Sequence, residues 1–290
     1  MYPVVFLGII MAGGRFSGAN PNYTADELRH HFKVSATRFV LSDRRSLAEI
    51  HVASQGLFDA KNVMTWDRWD TLGITSQPSL NSSTADNNHD ASLSLDKMVA
   101  FDDKSRAQET IAALMSTSGT TGLPKMAVRS HLSWVTENLA IQDSTTKPYQ
   151  INRLLFTPFF HGFTAPLALI DALRSGHKTY TMSRFDLKKC LDYVERYRIT
   201  ELAAPPPVLL AFMQLSEQER EVLKSIRLVW SGGAPMSASM QNRAREMFHA
   251  EARIVQVYGM TEAGWITTFK YPEGDATGSV GRLLPTYEAK

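Results

Sequence analysis

A single cysteine in 290 residues, Cys190, excludes an internal disulfide and a cysteine-built zinc site, and its place in a helix-like stretch points to packing. Histidines are few. The adjacent His30 and His31 and the scattered His51, His89, His177 and His249 show no metal-ligand spacing. An excess of charge of one sign is also missing: 31 Lys and Arg face 29 Asp and Glu, a formal net charge of +2. With no basic run interleaved with aromatics, nucleic acid is not an expected partner. No apolar run is long enough to span a bilayer. The opening run Pro3 to Ala12 lacks the cationic leader of a signal peptide and reads as a buried helix or strand. Glu288-Ala289-Lys290 carries no peroxisomal or retention address, which leaves a cytoplasmic location as the default. No short internal repeat is present, so solenoid architectures are excluded. A hydrophobic share of 43% against a charged share of 21% excludes the low-apolar composition of disorder.

What is present is an alternation of short apolar runs with helix-like stretches. Thr24-Ala25-Asp26-Glu27 has the form of a capping box, which predicts a helix from there through Phe32. Strand-like runs follow at Arg38 to Leu41 and Asn62 to Trp66, with a helix-like stretch from Ser46 to Gln55 between them. Further strands are expected at Ile111 to Met115, Arg153 to Thr157, Lys178 to Met182, Glu201 to Ala204, Arg227 to Trp230 and Arg253 to Val257. Helices are expected at Asp186 to Tyr197, Pro207 to Leu215 and Ser237 to Phe248. Such alternation predicts βαβ units, parallel sheets layered with helices, and ligands at the loops that leave the carboxyl ends of parallel strands. The stretch 75–95, rich in Ser, Asn, Asp and Thr, reads as an exposed polar loop within one domain.

The densest chemical signal is Ser116-Thr117-Ser118-Gly119-Thr120-Thr121-Gly122-Leu123-Pro124-Lys125, directly after an apolar strand. Hydroxyls, glycines and a lysine supply what a polyphosphate needs: close backbone N–H approach, rotatable donors and a cation. It is not a Walker A loop, because Pro124 and Met126 flank the lysine where that motif requires Gly and Ser or Thr. Three other segments carry chemistry-bearing residues after expected strands. They are Pro158-Phe159-Phe160-His161-Gly162, Ser231-Gly232-Gly233-Ala234-Pro235, and Gln256-Val257-Tyr258-Gly259-Met260-Thr261-Glu262.

In this order the four segments resemble the motifs of the adenylate-forming superfamily, which includes acyl-CoA synthetases, 4-coumarate:CoA ligases, luciferases and peptide-synthetase adenylation domains. The resemblance implies the large α/β N-terminal domain of such an enzyme. It implies ATP, Mg²⁺ and coenzyme A, with a small carboxylic acid as substrate. By that resemblance Ser116, Thr117, Ser118, Gly119, Thr120, Thr121, Gly122 and Lys125 hold the phosphates, and Gly233, Ala234 and Pro235 lie against the adenine, on which Tyr258 stacks. Thr261 donates to the α-phosphate, Glu262 holds the metal, and His161 stands at the mouth of the carboxylate pocket.

Gly278-Ser279-Val280-Gly281 is similar to a segment near the end of the family's larger domain and is read as architectural, with no catalytic role for Arg282. Ala19-Asn20-Pro21, Tyr23-Thr24 and Glu27-Leu28 look most like the 4-coumarate:CoA ligase branch, which is the source of the coenzyme A expectation. Val257 stands where many members have Gly against the acyl group, which implies a reshaped or shortened acyl pocket. Family members begin upstream of anything matching Met1. Past the Gly-Ser-Val-Gly segment they continue to a ribose-binding Asp, a hinge and a small lid with a catalytic lysine. The expectation is therefore a domain incomplete at both ends and lacking the lid, with weak or no turnover. The alternatives are a non-catalytic nucleotide-binding remnant or interaction module, and a luciferase-like or peptide-synthetase domain with another acyl acceptor.

Overall fold

The computed structural model describes residues 2–66, 98–117 and 122–288. The polar stretch 75–95 and residues 118–121 lie outside the described residues. The opening apolar run is a helix, α1 (Tyr2–Met11), begun with Pro3 in its first turn, where a missing N–H costs nothing. Its Phe6 is fully buried, edge-on to Phe16 at 5.1 Å and to Trp134 at 5.2 Å. Helix α2 (Ala25–Val34) starts at the expected capping box, with Thr24 Oγ1 accepting from the Glu27 amide and Glu27 accepting from the Thr24 amide. Leu28 and Phe32 of α2 pack with Ile50 and Ala53 of α3 (Leu47–Ser54). That pair supports a small parallel ribbon of β1 (Val40–Ser42) and β2 (Val63–Thr65).

After α4 (Lys104–Glu109), strand β3 (Ile111–Ser116) turns back on β4 (Met126–Ser130). The two pair antiparallel as a separate two-stranded sheet. Here the structure differs from the expectation that each motif follows a strand of the parallel sheet. The hydroxyl-rich segment connects two antiparallel strands, because β4 resumes one residue after Lys125 and leaves no chain for a crossover.

The main sheet is built from β5 (Asn152–Leu155), β6 (Lys178–Thr181), β7 (Glu201–Ala203), β8 (Leu228–Gly232), β9 (Arg253–Met260), β10 (Gly264–Thr268) and β11 (Arg282–Leu283). Its seven strands run in the order β11-β10-β9-β8-β7-β5-β6. β6, β5, β7, β8 and β9 are parallel, and the β10 and β11 edge is antiparallel. The chain goes outward from β5 to β6 and then returns to place β7 on the other side of β5. This is a topological switch, which opens a crevice at the carboxyl ends of β5 and β7.

Alternate residues of each strand feed two cores, as a period of two requires. Leu154, Val229 and Ile254 face helices α6 (Leu187–Tyr197), α7 (Pro206–Met213) and α8 (Ala238–Arg245). Cys190 of α6 is buried in that core, and burial pushes its thiol up to about 12. Leu155, Trp230 and Val255 face the other way. They meet Phe6 of α1, Trp134 of α5 (His131–Ala140) and the turn of π-helix Leu167–Asp171. This second core also receives Ala112, Ala113 and Met115 from β3 and Trp265 from β10, so it joins the hairpin to the main sheet.

At the amino ends of β5 and β7 lies a buried charge cluster. Arg153 donates to Asp171 at 2.6 Å and to Glu201 at 3.0 Å, and Lys147 reaches Glu201 at 2.6 Å and Asp143 at 2.9 Å. Each ion has at least one partner of opposite sign, the condition for tolerating charge at such depth. Among the described residues no helix is long and apolar enough to cross a membrane.

Candidate nucleotide and carboxylate site

The hydroxyl-rich turn is pinched at its neck. The Thr117 amide donates to the Lys125 carbonyl at 2.9 Å, and the Lys125 amide donates to Thr117 Oγ1 at 3.3 Å. Ser116 pairs with Met126 below that neck. On the exit side His30 of α2 donates to the Pro124 carbonyl at 2.7 Å, which fixes the proton on Nε2. Gly122 has φ of +153°, with open space around it. Ser118, Gly119, Thr120 and Thr121 lie outside the described residues. Among the described motif residues, Thr117 has a hydroxyl that already accepts a bond within the protein, which leaves its proton for a ligand.

The aromatic segment leaves β5 at the switch crevice. Phe159 lies edge-on to Tyr2 of α1 at 5.9 Å, and Phe160 packs where a side chain on Gly18 would stand. Residues 16–18 in turn bind β3. The Phe16 amide donates to the Ala112 carbonyl at 2.9 Å, and Ser17 Oγ donates to the Leu114 carbonyl at 2.9 Å. The 158–162 segment and the hydroxyl-rich segment are thus hung from the same strand.

His161 accepts from the Phe163 amide through Nδ1 at 3.2 Å, so a neutral ring carries its proton on Nε2. Desolvation displaces its pKa downward, although the residue as a whole keeps solvent contact. The next residue, Gly162, approaches Thr261 closely: a Cβ added there would stand 3.7 Å from the Thr261 Cα.

β8 and β9 run side by side in parallel register, with Ser231 opposite Gln256 and Gly232 opposite Val257. The turn Gly233-Ala234-Pro235, exposed and with Gly233 at φ +84°, therefore lies beside Tyr258, itself 48% exposed. Gly232 cannot be larger, since a Cβ would meet the Phe163 ring at 2.9 Å and the Val257 carbonyl at 3.0 Å. Phe163 is held in turn by stacking on Trp265, with ring centroids 5.7 Å apart, and by the Trp265 indole N–H, which donates to its carbonyl at 2.9 Å. Gln256, expected only as part of a motif, is buried. Its amide donates to the carbonyls of Met236 at 3.1 Å and Gly278 at 2.8 Å. It ties the base-side turn to the Gly278 to Gly281 segment, which has a structural place here.

Thr261 and Glu262 occupy the turn between β9 and β10, with Glu262 exposed. Three contacts brace that turn. The Ala263 amide donates to the Met260 carbonyl at 3.1 Å, Tyr287 Oη donates to the Ala263 carbonyl, and Glu137 of α5 accepts from the Trp265 amide at 2.8 Å. The second oxygen of Glu137 accepts from Arg129 of β4 at 2.7 Å. Burial raises the Glu137 pKa, opposed by the Arg129 charge and the Trp265 amide.

His161, the 231–235 turn, Tyr258, Thr261 and Glu262 are thus brought together at the carboxyl ends of β5, β8 and β9, and the stem of the hydroxyl-rich segment joins them through the shared core. Sequence reasoning missed Phe163, Trp265, Arg129, Glu137 and His30. Only Phe163 carried a local signal, two residues past the histidine.

One carboxylate cannot hold a metal alone, and among the described residues no three His, Cys, Asp or Glu form a metal cluster. Glu262 suits Mg²⁺ that arrives with a polyphosphate, since that ion usually takes one or two carboxylates and completes its shell with phosphate and water oxygens. A cavity of about 260 Å³ lies elsewhere, at the amino ends of β5 and β6 beside Arg153, Asp171, His177 and Trp230.

The AMP-binding enzyme family model matches residues 1–290. Among curated relatives, the acyl-CoA ligase M9 of Phoma sp. is 37% identical over 303 residues, covering all of this chain and 55% of that protein. The phenylacetyl-CoA ligase epaB of Aspergillus niger is 36% identical, covering all of this chain and 53% of the relative. The nicotinic acid-CoA ligase olcI of Penicillium canescens is 29% identical, with 55% of the relative covered. The chain spans about half the length of the curated relatives it matches. Among solved structures, ATP-bound MatB from Rhodopseudomonas palustris superimposes with a TM-score of 0.74 at 24% identity, covering 98% of this chain and 52% of that one. The N-terminal domain of FACL13 from Mycobacterium tuberculosis gives 0.71 at 22% identity, covering 97% of this chain and 66% of that one. These structural likenesses concern the fold.

Proposed function

The chain belongs to the AMP-binding enzyme family, and from that membership we propose that it carries the activation site of an ATP-dependent carboxylate:CoA ligase. In this reading a carboxylate oxygen of the acid attacks the α-phosphorus of ATP and the bond to pyrophosphate breaks, giving an acyl-adenylate. The thiol of coenzyme A then attacks the acyl carbon, and AMP leaves. Each step asks the protein for positioning and for offset of developing charge rather than for covalent chemistry.

The residues divide that work as follows. Tyr258 offers a half-exposed ring to the adenine, across from the small residues Gly233, Ala234 and Pro235. Ser116, Thr117, Ser118, Gly119, Thr120, Thr121, Gly122 and Lys125 receive the phosphates. Thr261 donates to the α-phosphate, and neutral His161, with Nε2–H free, orients the acid beside it. Glu262 would hold Mg²⁺, which supplies charge neutralisation on the phosphates when bound. In this reading Val257, which stands where many family members have Gly against the acyl group, reshapes or shortens the acyl pocket.

The observation that supports the reading is the nearness of Gly162 to Thr261, where an added Cβ would stand 3.7 Å from the Thr261 Cα: it is consistent with carboxylate and α-phosphate partners lying side by side, as attack at phosphorus requires. The test is exchange of labelled pyrophosphate into ATP with a panel of acids that includes phenylacetate and nicotinate, for which two relatives are named. Acid-dependent exchange that Glu262→Gln lowers by on the order of 10²-fold or more is expected. ATP binding without exchange for any acid would instead favour a nucleotide-binding module.

A further inference from the structure

We propose that Glu137, paired with Arg129, is a positioning residue that sets the distance between the phosphate turn and the Thr261-Glu262 turn, and so acts on triphosphate binding without touching the nucleotide. This rests on the function proposed above. Arg129 lies four residues beyond Lys125 on the strand leaving the phosphate turn, and Trp265 lies three beyond Glu262 on the strand leaving the other. One carboxylate binds both, with Oε2 on Arg129 Nη2 at 2.7 Å and Oε1 on the Trp265 amide at 2.8 Å. The side chains of Arg129 and Glu137 are 2% and 1% exposed. Arg129 is fixed further by Ser133 Oγ at 3.2 Å and by lying 5.1 Å over the Trp134 ring.

The joint has little slack. Gly264, at φ +83°, packs so tightly on the Glu137 carboxylate that a side chain there would displace it. β10 shifts register between Trp265 and Thr267, where Glu137 takes the Trp265 amide as its donor. Stability alone does not call for such a pair, because apolar residues of similar volume usually serve a core as well or better. What an apolar pair could not do is hold two separate hairpins at fixed hydrogen-bond lengths. A triphosphate reaching from Lys125 to Glu262 needs that spacing, whereas adenosine, seated on Tyr258 and the 231–235 turn, does not.

The experiment compares affinities for Mg·ATP and for adenosine in the unaltered chain and in Glu137→Gln, which keeps the shape but removes the charge opposite Arg129. Mg·ATP affinity is expected to fall tenfold or more, with adenosine affinity changed less than twofold. Equal losses for both ligands, or no loss in the folded variant, would overturn the proposal. Arg129→Lys, which retains the charge but not the fork that spans Ser133 and Glu137, is the second variant should Glu137→Gln not fold. The same split between ligands is expected of it, and its absence counts equally against the idea. Should the unaltered chain bind adenosine but not Mg·ATP, the functional reading fails. The coupling is then judged by hydrogen exchange in the variants: simultaneous loss of protection at Ala127 to Arg129 and at Trp265 to Thr267 supports it, and loss in one hairpin only refutes it.

Discussion

Replacing Gly264 with alanine tests the geometry of the Thr261-Glu262 turn most directly. Two penalties act there. The backbone sits at φ +83°, a conformation that costs a residue with a side chain about 1–3 kcal/mol. The new methyl would also collide with the Glu137 carboxylate, and displacing that group from Arg129 breaks a buried ion pair, a loss of about 3–5 kcal/mol. Gly264→Ala should therefore lower stability by roughly 4–8 kcal/mol, a large part of the ~5–15 kcal/mol that folded domains possess. Two glycines separate the causes. Gly56 shares a positive φ of +69° with nothing nearby, and Gly274 has open space and no positive φ. Gly56→Ala should show the backbone penalty alone, while Gly274→Ala should be neutral or gain about 0.4–1 kcal/mol by restricting the unfolded chain. Urea unfolding followed by tryptophan fluorescence reads all three, since Trp134, Trp230 and Trp265 lie in the core that the turn adjoins. If Gly264→Ala costs no more than Gly56→Ala, the carboxylate is not packed as described.

Three further outcomes follow from the same structure. Glu201→Gln, which strips the shared partner from buried Lys147 and Arg153, should cost about 3–5 kcal/mol in chemical denaturation. Glu273→Gln, at the exposed pair with Arg282, should cost at most about 1 kcal/mol; similar values for both would contradict the burial of the cluster. Burial, with a smaller contribution from the charge of His30, lowers the His31 pKa to about 4. The unfolded chain then takes a proton below its ordinary value while the folded one does not. Stability should fall by roughly 3 kcal/mol as pH drops from about 6.5 to 4 and stay flat above. Melting temperatures of His31→Asn should lose that slope, and parallel curves for the two proteins would refute the assignment. Val257→Gly should shift acid preference by about tenfold or more toward larger acids in the exchange assay, and an unchanged ranking would remove Val257 from the acyl wall.

The sequence makes some of this legible because the relevant physics is local. The capping box at Thr24 and Glu27 satisfies amides three residues apart, and it appears at the expected place. The stretches Ile254 to Val257 and Leu228 to Gly232 announce themselves as largely apolar runs because both of their faces are buried. The hydroxyl-rich segment Ser116 to Lys125 stands out in the sequence because its hydroxyls, glycines and lysine are contiguous. What was not legible depends on partners far along the chain. The apolar character of Ile111 to Ser116 is the same whether the strand joins the parallel sheet or folds back in a hairpin. Only the shortness of the connection to Met126 decides it. Glu137 reads as one more polar residue on a helix, since its bond to the Trp265 amide crosses 128 positions. Phe163 and Trp265 likewise look like ordinary core aromatics until β5 and β10 bring their rings together.

The side chain that joins the base-side turn to the last strand's approach is a carboxamide. Gln256 has neither a proton to lose near neutrality nor a charge for ions to screen. Added electrolyte that would weaken the proposed hold of Lys125 on a polyanion leaves this joint untouched. Titrating sodium chloride into the complex therefore separates the electrostatic share of ligand binding from the integrity of the frame that presents the ring of Tyr258.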